Sequence, residues 1–141
     1  MILLDTDHLS VLIDRRHFRH ARLQERIRDS IDQDLAIPIV SAEEQLRGWL
    51  AQIHRLRDFS KQVPAYDRLV RLIDFLSRWQ IIPFDHLAAD QCRLLRGLRI
   101  RIGSQDLKIA AIAIINDALL LSANIRDFRQ VPELMVESWL D

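Results

Sequence analysis

Short apolar runs alternate along this chain with longer stretches whose apolar residues recur at helical spacing. That alternation restricts the fold more than any other feature. Ile2-Leu3-Leu4, closing on Asp5, reads as a buried strand. Residues 35–40, 80–84 and 118–122 read the same way, and 134–139 as a final edge strand. Helical patterns fill the intervals: 7–13, an Arg-rich stretch over 17–31, then 42–57, 66–79, 85–98, and a segment opening at 103–106 that runs through 109–115. The last of these is apolar nearly all round and so belongs at the centre. Strands alternating with helices predict an α/β fold with a mostly parallel central sheet flanked by helices. At 141 residues the chain is expected to form a single domain, 1–141, whose core needs no disulfide or structural metal.

Local signals refine this outline. Pro38 fits its strand only at an end or a bulge, because it offers no N–H to a ladder. Ser41 followed by Glu44 matches a capping box, which predicts a helix start at Ser41 with Glu44 in the first turn. Pro64 is expected to separate the helix over 42–57 from the one over 66–79.

Composition excludes several function classes. With only three glycines, Gly48, Gly97 and Gly103, the chain has neither G-x-G-x-x-G nor a P-loop, which argues against dinucleotide or NTP chemistry. Cys92 is the one cysteine, so an intrachain disulfide and a Cys-based zinc site are excluded. No run of about 18 apolar residues is present, and the N-terminal segment lacks the basic flank of a signal peptide, so a cytoplasmic location is expected. Net charge is +0. Apart from Lys61 and Lys108, every basic residue is Arg, and Arg suits bidentate phosphate contact. Arg15, Arg16, Arg19, Arg22, Arg26 and Arg28 form one cluster, and Arg93, Arg96, Arg99 and Arg101 another. His17 and His20, set among the first cluster, read as a solvated or phosphate-facing pair. His8 carries no recognisable pattern.

In a parallel α/β sheet, ligands bind outside the carboxyl ends of the strands. Asp5 ends the first strand, Glu44 opens the helix after the second, Asp106 opens the apolar helix before the fourth, and Ser122 and Asn124 end the fourth. Three carboxylates and a carboxamide are thus expected at one edge. Clustered carboxylates need a cation or raised pKa values to coexist. Oxygen ligands favour hard ions such as Mg²⁺ or Mn²⁺, which acidify bound water and neutralise charge on a phosphoryl group.

These residues fall in segments that resemble a PIN domain, and within it a VapC-type toxin ribonuclease. Met1-Ile-Leu-Leu-Asp5-Thr6-Asp7 is similar to the family's opening strand and Asp-Thr-Asn motif, with Asp7 where Asn is usual. Ser41-Ala-Glu-Glu44-Gln-Leu-Arg-Gly48 resembles its T/S-x-x-E-L-x-x-G segment, and the spacing to Gly48 selects Glu44 over Glu43. Asp106-Leu-Lys-Ile109-Ala110-Ala111-Ile-Ala113 resembles its D-x-x-IAA-x-A helix. The run from Ser122 through Asn124, Asp127, Phe128 and Pro132 to Leu134 resembles its T-x-N-x-x-D-F-x-x-I-P-G-L tail.

The resemblance implies an RNase H-like three-layer fold and Mg²⁺- or Mn²⁺-dependent endonucleolytic cleavage of RNA. Asp5, Glu44 and Asp106 would be the metal ligands. Asn124 would complete the catalytic set at a position where some relatives carry Asp, with Asp7 and Asp127 as further acids near the site. Ser122 and Asn124 would hydrogen-bond to water or to a phosphate oxygen. A homodimer and a VapB-like antitoxin are implied as well, the antitoxin's tail lying across the acidic groove. The helices over 42–57 and 66–79, with Trp49 and Trp79, are the expected receivers of that tail. Two other readings compete. One is a PIN-fold binding module whose site Asn124 has weakened. The other is a HAD-like phosphatase, suggested by Asp5-Thr6-Asp7 but short of a well-placed lysine and of a late Asp pair.

Overall fold

The computed structural model describes residues 1–141. In chain order the elements are β1 (Ile2–Leu4), α1 (Thr6–Ile13), α2 (His20–Asp29), β2 (Leu35–Pro38), α3 (Ile39–Arg55), α4 (Phe59–Ser77), β3 (Ile81–Ile82), α5 (His86–Gly97), α6 (Ser104–Ile115), β4 (Leu119–Leu121), α7 (Ile125–Phe128) and β5 (Met135–Glu137). Every strand pairing is parallel, and the sheet order is β3-β2-β1-β4-β5. The α/β expectation holds, and the sheet is parallel throughout.

Strand side chains alternate between the two sheet faces, and each face builds its own core. Leu3, Ala36 and Leu120 pack with Ile109, Ile112 and Ala113 of α6 and Leu95 of α5. Ile2, Leu4, Ile37 and Leu121 pack with Leu9 and Leu12 of α1 and Leu23 of α2. Both faces are covered, so the strands read as unbroken apolar runs. Helix α6 buries Leu107 and every residue from Ile109 to Ala113, which places it centrally, as its composition requires.

The order also locates a functional edge. From β1 the chain moves outward through β2 to β3, then crosses back to β4 on the other side of β1. The strand order therefore reverses between β1 and β4. A crevice opens outside the carboxyl ends at such a point.

Three local expectations are corrected. Helix α3 starts at Ile39, not Ser41, with Pro38 as its N-cap. Pro38 closes β2, where its missing N–H costs no ladder bond, and its fixed φ leads directly into the helix. Glu44 consequently sits in the second turn. No capping box forms, and the Ser41 hydroxyl is buried without a partner. Since an unpaired buried hydroxyl costs about 1–3 kcal/mol, Ser41→Ala should leave stability unchanged or raise it by about 1 kcal/mol, read from the urea midpoint.

Pro64 does not divide two helices either. Asp58 caps α4 by accepting from Ser60 N at 2.9 Å, and the helix continues through Pro64. The single lost bond falls near an exposed helix start, where water can serve the carbonyl. Lastly, His17 and His20 do not form a solvated pair. His20 is buried with Nδ1 2.9 Å from Val11 O, while His17 Nδ1 accepts from Arg19 N at 3.1 Å. Their rings serve the α1–α2 turn.

No helix is long and apolar enough to cross a membrane.

Candidate active site

Asp5 follows β1 directly and caps α1, its Oδ1 accepting from Thr6 N at 2.7 Å. It is only 6% exposed. Ser122, just beyond β4, donates its hydroxyl to Asp5 Oδ2 at 2.6 Å. A parallel pairing puts both strand ends at the same edge, so a residue pair remote in sequence meets across the switch point. Burial pushes the Asp5 carboxyl up to about 7. The Ser122 and Thr6 bonds lower it in part, and the charges of Asp7 and Asp106 raise it again.

A second group lies beside the first. Asn124, at the N-cap of α7, donates Nδ2 hydrogens to Asp106 Oδ2 at 3.2 Å and to Asp127 Oδ2 at 3.1 Å. A carboxamide nitrogen carries two protons, and here each goes to a carboxylate. Asn124 Nδ2 is thus spent on holding two acids together. Burial is the main cause of a raised Asp106 pKa. The Asn124 bond opposes it, and Asp127 and Asp7 add to it.

Glu44 approaches from α3. Its pKa is raised, chiefly by burial. The nearby Thr6 hydroxyl offsets this, and the charge of Asp106 reinforces it. Glu44 Oε1 and Thr6 Oγ1 are both buried without an aligned hydrogen bond. Glu43 is differently placed: it is tied to Arg47 and accepts from Gln105 Nε2 at 3.0 Å. Of the two glutamates, Glu44 keeps the free oxygen.

Asp7 is the acid that sequence reasoning left open. Its Oδ2 accepts from Ala123 N at 2.9 Å, which brings it to the same strand ends. Burial raises its pKa, but bonds from the His8 ring and from the Ala123 and His8 amides outweigh that, and the net shift is downward.

As placed, no three His, Cys, Asp or Glu side chains are gathered into a ready metal grip. The acids are held pairwise instead, through Ser122 and Asn124. The donor set nevertheless fits a hard divalent cation. It is all oxygen, three of its acids are pushed upward, chiefly by burial and further by one another's charge, and Glu44 Oε1 has an unused lone pair. A phosphatase of the HAD type would want a lysine here. Lys108 instead donates to Gln105 at 3.1 Å, and Lys61 is exposed on α4.

Residues 2–134 match the PIN domain model. The chain belongs to the PIN-domain family. A stretch of 73 residues is 38% identical to Ribonuclease VapC2 of Rickettsia felis, covering 46% of this chain and 52% of that protein. The match thus spans about half the length of that relative. Among solved structures, VapBC2 from Rickettsia felis, bound to a DNA fragment from their promoter, superposes with a TM-score of 0.73 at 27% identity. That match covers 99% of both chains. DNA-bound VapBC from Salmonella typhimurium gives 0.74 at 20% identity over 98% of this chain and 97% of that one. FitAcB from Neisseria gonorrhoeae gives 0.72 at 20%, over 99% and 98%. The last two share the fold. The crevice of this PIN domain is where its sheet order, its acids and their hydrogen-bonding partners coincide.

Proposed function

We propose that this PIN domain, residues 1–141, is a metal-dependent endoribonuclease and the toxin of a VapBC-type toxin–antitoxin pair. The observation that carries the reading is the seating of Asp5 on Ser122 and of Asp106 on Asn124 at the carboxyl end of β4, with Glu44 near enough to feel the charge of Asp106. The likeness to a protein named as a ribonuclease, and to structures named as VapBC complexes, supports it.

In this reading Asp5, Glu44 and Asp106 would hold Mg²⁺ or Mn²⁺, which would supply acidified water and offset negative charge on the phosphodiester. Ser122 Oγ keeps Asp5 Oδ2 turned into the crevice, and Asn124 Nδ2 does the same for Asp106. Glu44 Oε1, which no protein donor occupies, would ligate that ion or orient the attacking water. Asn124 serves catalysis by holding an acid in place. The exposed Arg residues of the first cluster contact the RNA backbone, an interaction that should weaken as salt rises.

A VapB-like antitoxin and a second copy of this chain are the proposed partners, in the cytoplasm. An apolar groove of about 750 Å³ runs along α3, lined by Ile39, Leu46, Leu50 and Phe84 and bordered by Glu43 and Lys108. It supports α3 as the receiver of the antitoxin tail. Trp49 is half-buried beneath Arg68, and Trp79 packs on Phe75 at the core edge, so neither ring is free to lead that contact.

Incubating the antitoxin-free protein with total cellular RNA tests the reading. Discrete fragments are expected with Mg²⁺ or Mn²⁺ and none with EDTA. Folded protein that leaves every RNA pool intact in both ions would overturn the nuclease and favour a PIN-fold binding module.

A further inference from the structure

His8 is fully buried, and its two ring nitrogens join distant parts of the chain. Nε2 accepts the backbone N–H of Trp139 at 3.0 Å. An amide N–H can only donate, so Nε2 must carry the lone pair and the ring proton must sit on Nδ1. That proton points at Asp7 Oδ1, 2.6 Å away. Asp7 Oδ1 also accepts its neighbour's amide, His8 N, at 2.7 Å, and Oδ2 takes Ala123 N at 2.9 Å. Asp7 thus takes three donors and is clamped to the turn that carries Ser122 and Asn124. The far end of this chain of bonds is equally fixed. Trp139 and Leu140 are buried in the core below α1 and α2, and the Arg26 guanidinium lies 5.3 Å from the Trp139 ring centre.

We propose that His8, its tautomer set by the Trp139 amide, is a positioning residue that acts through Asp7 to hold the 122–124 turn, and with it the acid crevice. The segment after β5 is thereby part of the site's support. Asp7 serves as the clamp on the turn and not as a ligand. The effect on metal rests on the nuclease reading above. The clamp itself does not.

Nitrogen-15 spectra of the unmodified protein give the first test. His8 is expected as the neutral Nδ1–H tautomer, and a protonated Nε2 would overturn the proposal. Next, Mn²⁺ binding by calorimetry and amide exchange at Ala123 and Asn124 are measured for His8→Leu, Asp7→Ala and the double variant. Each single change should speed exchange at the turn and weaken Mn²⁺ binding by roughly 10–100-fold, the usual effect of losing a group that orients a ligand. The double variant should be no worse than Asp7→Ala, because the two residues act in series. His8→Asn, which keeps a donor near the Nδ1 position, should recover much of the loss and covers the case in which His8→Leu fails to fold. Unchanged exchange in His8→Leu, or additive losses in the double variant, would overturn the inference. If the unmodified protein binds Mn²⁺ no better than Asp5→Ala, the nuclease reading fails, and the exchange data still decide the clamp.

Discussion

If the proposed nuclease reading holds, Asp5→Ala and Asp106→Ala are each expected to reduce metal-dependent RNA cleavage by roughly 10²–10³-fold or more, the usual loss when one preorganised charge-stabilising group is removed from a site. Gel-resolved turnover against a defined RNA, at saturating Mn²⁺, is the measurement. The two residues are held by different side chains, Asp5 by Ser122 and Asp106 by Asn124. Since both act on one reaction centre, the double variant should lose little beyond the worse single change. A variant that keeps half its rate would show that its acid belongs to the surface and not to the chemistry. Asn124→Asp bears on the same point from the other side. It removes both donors that join Asp106 to Asp127 and adds a third negative charge, so the metal-free protein should become less stable while its need for cation grows.

The second large effect is on stability. Asp5 titrates near 7 in the folded protein and near 3.8 when unfolded. Between these values the folded state holds a proton that the unfolded state has lost, so stability falls as pH rises through that window. Three units at about 1.36 kcal/mol each set an upper limit of about 4 kcal/mol from this one buried group. Asp106 and Glu44, also shifted upward, act with the same sign. Asp7, shifted downward, contributes stability above pH 4 that is lost only in stronger acid. In EDTA, Tm is therefore expected to drop by roughly 10 °C from pH 5 to pH 8. Asp5→Asn should flatten that slope, because its amide can donate to Ser122 Oγ without carrying charge. Mn²⁺ at about 100 times its Kd should restore about 2.7 kcal/mol at pH 8. A Tm indifferent to both pH and Mn²⁺ would contradict the electrostatic picture of the crevice.

The strands were legible because each is a compact apolar run, and the acids because they stand where those runs stop. Asp5, Asp106 and Asn124 could be placed on one edge from strand direction alone. Errors arose where a local signal met a stronger neighbour. Ser41 and Glu44 have the spacing of a capping box, but Pro38 starts the helix earlier. Pro64 looked like a boundary, but the Asp58 cap starts α4 ahead of it. The partners of the acids were hidden for another reason. Ser122 lies 117 residues from Asp5, and Trp139 lies 131 from His8, so no window of sequence contains either contact. Asp127 and Asp7 were visible as acids, but which oxygen faces which donor depends on the tertiary turn at 122–124.

Strand β1 precedes the other four strands in sequence and is the middle strand of the finished sheet, flanked by β2 on one side and β4 on the other. Its second neighbour is synthesised last but one among the strands. Non-local parallel pairing of this kind forms slowly, because the intervening loop must close before any contact is gained. A growing chain that has not yet reached Leu119 carries Asp5, Glu44 and Asp106 but lacks Ser122 and Asn124, which hold Asp5 and Asp106. The crevice is therefore incomplete until the chain has passed β4 and reached Asn124.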